Sequence, residues 1–558
     1  MTTARFCLVL HGHLPWVLHH GRWPHGEDWL YEAASETWLP LLGVLDQCAA
    51  EGLTPGWTVG VMPILLEQLA HPRFCGGFVA WLTEYEARAE ADATEFTGRG
   101  DLHLAWLAGQ HAVRLSLQSE LFERIGRSIP GALAAHAAAG RVELLSSNAT
   151  HGFHPLILHD ACARAQVRAG LATSERHFGT RAAGAWLPEC AYRPAGHWVP
   201  PVVHTDARER AGVGELFAQE GVRFFFVDTH LITSATPIAQ REDGKLTPVF
   251  GGGDPELGWR SALEPHEIAE NGVPTGLVAF GRAPVVSEQV WSADHGYPGD
   301  GRYLEFHKRH GMRGLRYWKV TGAGVDLGDK DPYYPADADA AVQAHADHFI
   351  TLLEQQASAH EVVTGGRSAT ICAPFDAELF GHWWAEGPQF LLEIARRLQR
   401  HPTLRPVTCS VALTEAPADK VAALAPGTWG ANGDTSVWLH EGLRFYWESA
   451  YRAEDRFMDL WHRVDWENQP RCKELLTEAG RQLLMLQASD WAFVITTEGA
   501  IDYGMQRILE HFGRFSDLCN GVEDAWAGVA EDPLVAEALR WCRFTDPVFP
   551  DLQLGWWS

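Results

Sequence analysis

Short runs of β-branched and aromatic residues recur along the first 375 residues, separated by longer helix-like stretches. Apolar runs of this length predict buried strands, and apolar positions spaced by three or four predict amphipathic helices. Strands are expected at Phe6–Leu10, Trp57–Met62, Val142–Leu145, Gly184–Leu187, Arg223–Val227, Gly276–Phe280 and Thr370–Ala373. Strands that alternate with helices pair in parallel through helical crossovers. Seven of them point to an α/β barrel of the TIM kind with one unit fewer than eight. After about residue 410 the strand pattern fades. Leu443, Trp447, Ala450, Tyr451, Phe457 and Trp461 then share one helical face, as do Leu475, Leu476, Ala479, Leu483 and Leu486.

This pattern divides the chain into a barrel over residues 1–410 and an all-helical C-terminal domain over 411–558. Two insertions interrupt the barrel. Residues 76–140 read as amphipathic helices between strands two and three. Residues 229–275, with Gly251-Gly252-Gly253 and several prolines, read as a lid-like or binding loop. The Ala/Glu-rich stretch at 86–95 and the Ala/Asp-rich stretch at 336–347 are solvated helix faces.

Composition narrows the partners. The chain carries 45 basic and 71 acidic residues, a net charge of −26, so nucleic acid and anionic membrane surfaces are excluded as natural partners. A neutral ligand meets no such barrier. The N-terminus runs straight into a strand-like segment without a signal-peptide pattern, and no apolar run reaches membrane-spanning length. The ten cysteines are scattered singly, which fits reduced thiols in the cytoplasm. Many of the 24 tryptophans belong to the core, but a flat indole also suits the CH-rich face of a sugar ring.

In barrels the chemistry sits where strands give way to loops. Polar clusters follow these strands: His11-Gly12-His13, Asn148-Ala149-Thr150-His151, Pro188-Glu189, Gly281-Arg282 and Phe375-Asp376-Ala377-Glu378. Glu189 and Asp376 form the best carboxylate pair. Glycosidic cleavage needs two carboxylates, roughly 5–5.5 Å apart when configuration is retained and roughly 6.5–9.5 Å when it is inverted. The pattern His-x-His also occurs at metal sites. Here the third residue is His13 rather than a carboxylate, and no acidic cluster lies nearby in the chain, so hydrogen bonding to sugar hydroxyls is expected instead. His19, His20 and His25 are expected at the surface.

The segments Phe6–Trp16, Ala149–Pro155, Gly184–Tyr192, Ala373–Trp384 and Gly427–Gly430 resemble, in order, the five motif regions of glycoside hydrolase family fifty-seven. The match is strongest to its glycogen branching enzyme group, and Leu486–Trp491 extends it into the helical tail. The resemblance implies a distorted (β/α)7 TIM-like barrel, a retaining double displacement on α-glucans such as glycogen, amylose and starch-like oligosaccharides, and no metal or organic cofactor. It places Glu189 as nucleophile and Asp376 as general acid/base. His11, His13, His151, Arg282, Trp291, Trp429, Trp438 and Asp490 then line the sugar subsites, so the helical domain contributes to the cleft. Trp383 and Trp384 fall on the helix after Asp376, one of them in the core. A monomer or small homo-oligomer is expected.

The chain leaves the family's pattern at one loop. Branching enzymes of this group carry a tyrosine near the tip of the loop after strand five, but no tyrosine occurs here between Tyr192 and Tyr297. Phe250 and Trp259 are the rings available to replace it. The expected Arg-Asp-Pro after strand six reads Arg282-Ala283-Pro284. Three readings follow: a 1,4-α-glucan branching enzyme, an α-amylase-type hydrolase or 4-α-glucanotransferase, or a glucan-binding protein without catalysis. Retention of both carboxylates argues against the third.

Overall fold

The computed structural model describes residues 3–203, 206–242, 245–249, 259–312 and 314–558. At its centre, Ala4–Gly12 lies between two parallel neighbours, Trp57–Val61 and Thr370–Asp376, and both of its faces are buried. Burial on both faces explains why this segment reads as a continuous apolar run rather than an alternating one. Trp57–Val61 pairs in parallel with Val142–Leu145. The ring continues through two bonds to residues 184–187, Ser146 N to Gly184 O at 3.2 Å and Trp186 N to Ser146 O at 2.8 Å. Ala185 N donates to Phe224 O at 3.0 Å, and Phe224–Val227 pairs in parallel with Val273–Gly281. Ala283 N donates to Cys372 O at 2.8 Å and closes the ring. This is a distorted (β/α)7 barrel, with its seven staves at the seven expected positions. The distortion has a local cause: the fourth stave and the final closure rest on isolated bonds instead of full ladders.

The stretch 76–140 is helical: Pro72–Arg99, Leu102–Arg124 and Ile129–Ala138. Ser128 caps the last of these by accepting Gly131 N at 3.1 Å, and left-handed Gly100 ends the first.

Between residues 229 and 275 the structure differs from a lid-like loop. Thr236–Glu242, Lys245–Pro248 and His266–Glu270 are strands of a second sheet, built onto the barrel through Val273–Gly281. Lys420–Ala423 joins this sheet between the first and third of them, so strand structure continues beyond residue 410. Trp259 belongs to the core beneath this sheet, 6% exposed and edge-on to His266. It is therefore a packing residue. Phe250 and the three glycines that follow it lie outside the described residues.

Five helices follow: Arg444–Arg463, Pro470–Leu486, Ser489–Thr496, Ile501–Ala527 and Pro533–Thr545. The two apolar faces expected from spacing are buried, with Trp461 only partly so. Buried polar bonds tie these helices to the barrel. Thr150 Oγ1 donates to Leu484 O at 2.5 Å, and Glu454 accepts the backbone N–H groups of Leu158 and His159 at 3.2 and 3.0 Å. His20, expected at the surface, instead has a side chain only 5% exposed that bonds Asp546 at 2.8 Å, because the loop after the first strand runs beneath the helices.

Candidate active site

The ends of the barrel strands converge on one wall of stacked rings. His11 lies on Trp186 with ring centres 4.3 Å apart and planes 12° from parallel. His151 stacks on His13 at 4.0 Å and on His11 at 5.1 Å. His11 and His151 are each 3% exposed, and burial pushes both imidazoles well below their ordinary pKa. They stand neutral at pH 7, each with one buried ring nitrogen (Nδ1 of His11, Nε2 of His151) that has no partner among the described residues. Neutral imidazoles of this kind serve as donors or acceptors for hydroxyl groups.

Glu189 sits at the turn after the fourth stave with φ 61° and ψ 22°, and Cys190 follows at φ 48°. Two consecutive non-glycine residues in the left-handed region are strained, and such strain persists only where the surroundings hold it. They do so here. Tyr192 and Gly427 exchange backbone bonds at 2.9 and 3.1 Å, and Trp429 N donates to Glu189 O at 3.0 Å. The same tryptophan donates Nε1–H to Glu189 Oε2 at 3.0 Å, while Ser489 Oγ donates to Oε1 at 3.0 Å. Ser489 is bonded in turn to His151 Nδ1 at 2.9 Å. Burial raises the Glu189 carboxyl to about 6, and the two donors hold it from rising further.

Asp376 ends the seventh stave, in register with His11. Its carboxylate receives no hydrogen bond from the described residues. Burial first, and the negative Glu189 second, raise it to about 7, against the opposing pull of His13 and Arg282. Arg282 is anchored by Asp228 at 2.8 Å, and its Nε is buried without a partner among the described residues. Two positions further on, burial and the Asp376 charge push Glu378 well above the usual carboxylate range. Its Oε1 is buried, also without a partner among the described residues, and faces Gly12.

His13 Nε2 donates to both oxygens of Asp490, at 2.8 and 2.9 Å. This brings a carboxylate to the histidines that the linear sequence does not place there. Ligand atoms of His13, His151 and Asp490 lie within 4.8 Å of one another, close enough to share a cation. The two imidazoles, however, are stacked 17° from parallel, so their in-plane lone pairs run side by side instead of meeting at one ion. Asp490 is used to orient His13.

Of the candidate residues, Glu189, Asp376, His11, His13, His151, Trp429 and Asp490 form one contiguous cluster, with Arg282 at its edge. Trp291 is 39% exposed at the end of the helix Pro284–Trp291. Ala283 is the N-cap of that helix and supplies no side-chain cap. Trp438 is buried, stacked on Phe153 at 4.8 Å beneath the loop that carries Trp429. A Cβ on Gly430 would lie 2.7 Å from its ring, so Trp438 supports the loop from below rather than lining the cleft. Trp383 and Trp384 precede the next helix, Gly387–Leu398, and only Trp384 is in the core. Ser489 stands directly before Asp490 and carries no sequence signal of its own.

The chain is similar to known proteins over most of its length. Residues 7–425 match glycosyl hydrolase family 57, and residues 449–557 match the C-terminal region of 1,4-alpha-glucan branching enzymes. A 1,4-alpha-glucan branching enzyme of Thermococcus kodakarensis is 37% identical over 521 residues, 92% of this chain and 73% of its own. A family 57 branching enzyme of Pyrococcus horikoshii superposes with a TM-score of 0.88 at 32% identity, covering 99% of this chain and 96% of that one. The alpha-amylase AmyC of Thermotoga maritima superposes with a TM-score of 0.82 at 26% identity, covering 100% and 99%.

Proposed function

Because this chain belongs to glycosyl hydrolase family 57, we propose that its paired carboxylates cut and rejoin α-glucans, as a 1,4-α-glucan branching enzyme. Glu189 attacks the anomeric carbon while Asp376 gives its proton to the leaving O4, which leaves a glucan ester on Glu189. In the second step the O6 hydroxyl of another glucan chain gives its proton to Asp376. Its oxygen then displaces Glu189, forming an α-1,6 link. The observation that carries this reading is the unequal setting of the two carboxylates. Among the described residues Glu189 has two donors and Asp376 has none, so at neutral pH the first is readied as an anion and the second keeps a proton.

His11, His13, His151 and Arg282 hydrogen-bond the sugar beside the cut bond, with Trp429 as its apolar floor and Asp490 fixing His13. Trp291 serves a more distant sugar. Barrel and helical segment divide the work, since Ser489 and Asp490 come from the latter. The C-terminal match favours branching over an α-amylase-type or 4-α-glucanotransferase activity. Among the described residues no helix is long and apolar enough to cross a membrane. The ten cysteines are free thiols, nine of them buried, which supports a cytoplasmic setting.

Incubation with amylose tests the reading. New α-1,6 links should exceed new reducing ends; reducing ends without branch links would reassign the chain as a hydrolase, and an unchanged polymer would remove both activities.

A further inference from the structure

The loop that carries the acid runs on into an aromatic surface that bond cleavage itself does not use. Trp383, seven positions after Asp376, is 51% exposed. Its ring rests on Phe306, with centres 4.5 Å apart and planes 31° from parallel. The loop beneath is tight: Trp383 N donates to Glu378 O at 3.1 Å, Trp384 N to Leu379 O at 3.0 Å and Gly381 N to Trp384 O at 2.8 Å. Trp384 is buried, which fixes the direction of its neighbour.

A charged network holds this loop from behind. The helical stretch 27–50 widens into a π-helical turn at Ala34–Trp38, a form found mostly at functional sites. Glu36 in that turn accepts His382 Nδ1 at 2.5 Å and Arg316 Nη2 at 2.6 Å, and Arg316 Nη1 bonds His382 O at 3.0 Å. The Arg316 and Arg309 guanidiniums lie over the Phe306 ring at 5.4 and 6.0 Å, and Arg309 pairs with Glu32 at 3.2 Å. Gly381, at φ 121°, presses onto the same turn: a Cβ there would stand 1.8 Å from Glu36 O. Largely buried ion pairs add little net stability, so a network of this size is better explained by the geometry that it fixes.

We propose that Trp383, backed by Phe306, is a stacking platform for the glucan on the leaving-group side of the cut bond. A general acid must stand beside the oxygen that leaves, so the loop continuing from Asp376 borders that side of the cleft. The apolar face of a glucose unit matches an exposed indole, and a neutral chain is not repelled by the protein's net charge of −26. Both the departing chain and the incoming acceptor occupy this side. The platform therefore favours transfer by keeping an acceptor close while the ester on Glu189 is waiting. This inference rests on the α-glucan reading above.

The test uses the full chain carrying Glu189→Gln, titrated calorimetrically with maltoheptaose. Trp383→Ala should weaken binding about tenfold, Trp383→Leu by nearly as much, and Trp383→Phe by less than about threefold. With Glu189 restored, Trp383→Ala should also lower the ratio of branch links to new reducing ends by at least about threefold. Unchanged affinity and ratio in Trp383→Ala would overturn the platform while leaving the branching reading intact. Parent-like binding by Trp383→Leu would overturn it too, since bulk without a ring would then suffice. Failure of the Glu189→Gln parent to bind maltoheptaose would overturn the α-glucan reading and the platform together.

Discussion

The two carboxylates stand on the same face of one barrel, yet their surroundings differ in kind. The Glu189 turn is strained, pinned through the backbone to the 427–429 segment and supplied with two donors, one of them from the helical segment. Asp376 extends straight from its strand, only partly buried, and receives no hydrogen bond from the described residues. Burial alone would treat the pair alike; hydrogen bonding separates them. A polar cradle selects the anion at one end, and its absence preserves the acid at the other.

The strongest way to break this comparison is to neutralise each member. Glu189→Gln and Asp376→Asn should each lower turnover of amylose by at least about a thousandfold. They should differ on a maltosyl fluoride donor, whose leaving group needs no proton. Asp376→Asn should still release a burst of fluoride and Glu189→Gln none. Equal silence on that donor would show that Asp376 is not acting as the acid.

A smaller effect should come from the cradle itself. With Glu189 raised to about 6 and Asp376 to about 7, kcat/KM should climb through the first value and fall through the second. Ser489→Ala or Trp429→Phe removes a bond to the charged form. Either should move the climbing limb to higher pH and reduce kcat/KM about ten- to hundredfold at pH 6. A profile that keeps its climbing limb in both variants would mean that these donors do not set the charge of Glu189.

The smallest effect is on stability. Folding raises the Asp376 carboxyl from its ordinary 3.8 to about 7, so between those values the folded state holds a proton that the unfolded chain has lost. Stability from this group is therefore full at low pH and declines as pH rises through that window. Asp376→Asn avoids the decline. The variant should melt about 1–2 °C above the parent at pH 8, with the difference gone near pH 4. A gap that does not change with pH would argue against a raised Asp376 carboxyl.

Much of this was legible in the sequence because each stave is a short apolar run followed at once by a polar cluster. The seven strands, both carboxylates and the histidines at the strand ends all follow from that pattern. Contacts across the fold do not. Ser489 lies 300 residues from Glu189 and Asp490 lies 477 from His13, and a serine has no periodicity to mark it. Trp429 and Trp438 share one Gly-rich stretch, where no helical or strand period separates a ring at the cleft from a ring underneath it. Prolines and glycines around residues 229–275 hid short strands that distant Lys420–Ala423 joins into one sheet, pairing antiparallel with Thr236–Glu242 and parallel with His266–Glu270.

The bond from Ser489 to Glu189 also orders events in time. During synthesis the barrel strand leading to Glu189 is made early, and the 373–376 segment follows well before the last helices. The nucleophile acquires its second donor only after residue 489 has been added and its helix has docked. A ribosome-bound barrel thus holds Glu189 one donor short, and the nucleophile reaches its full setting only on a nearly finished chain.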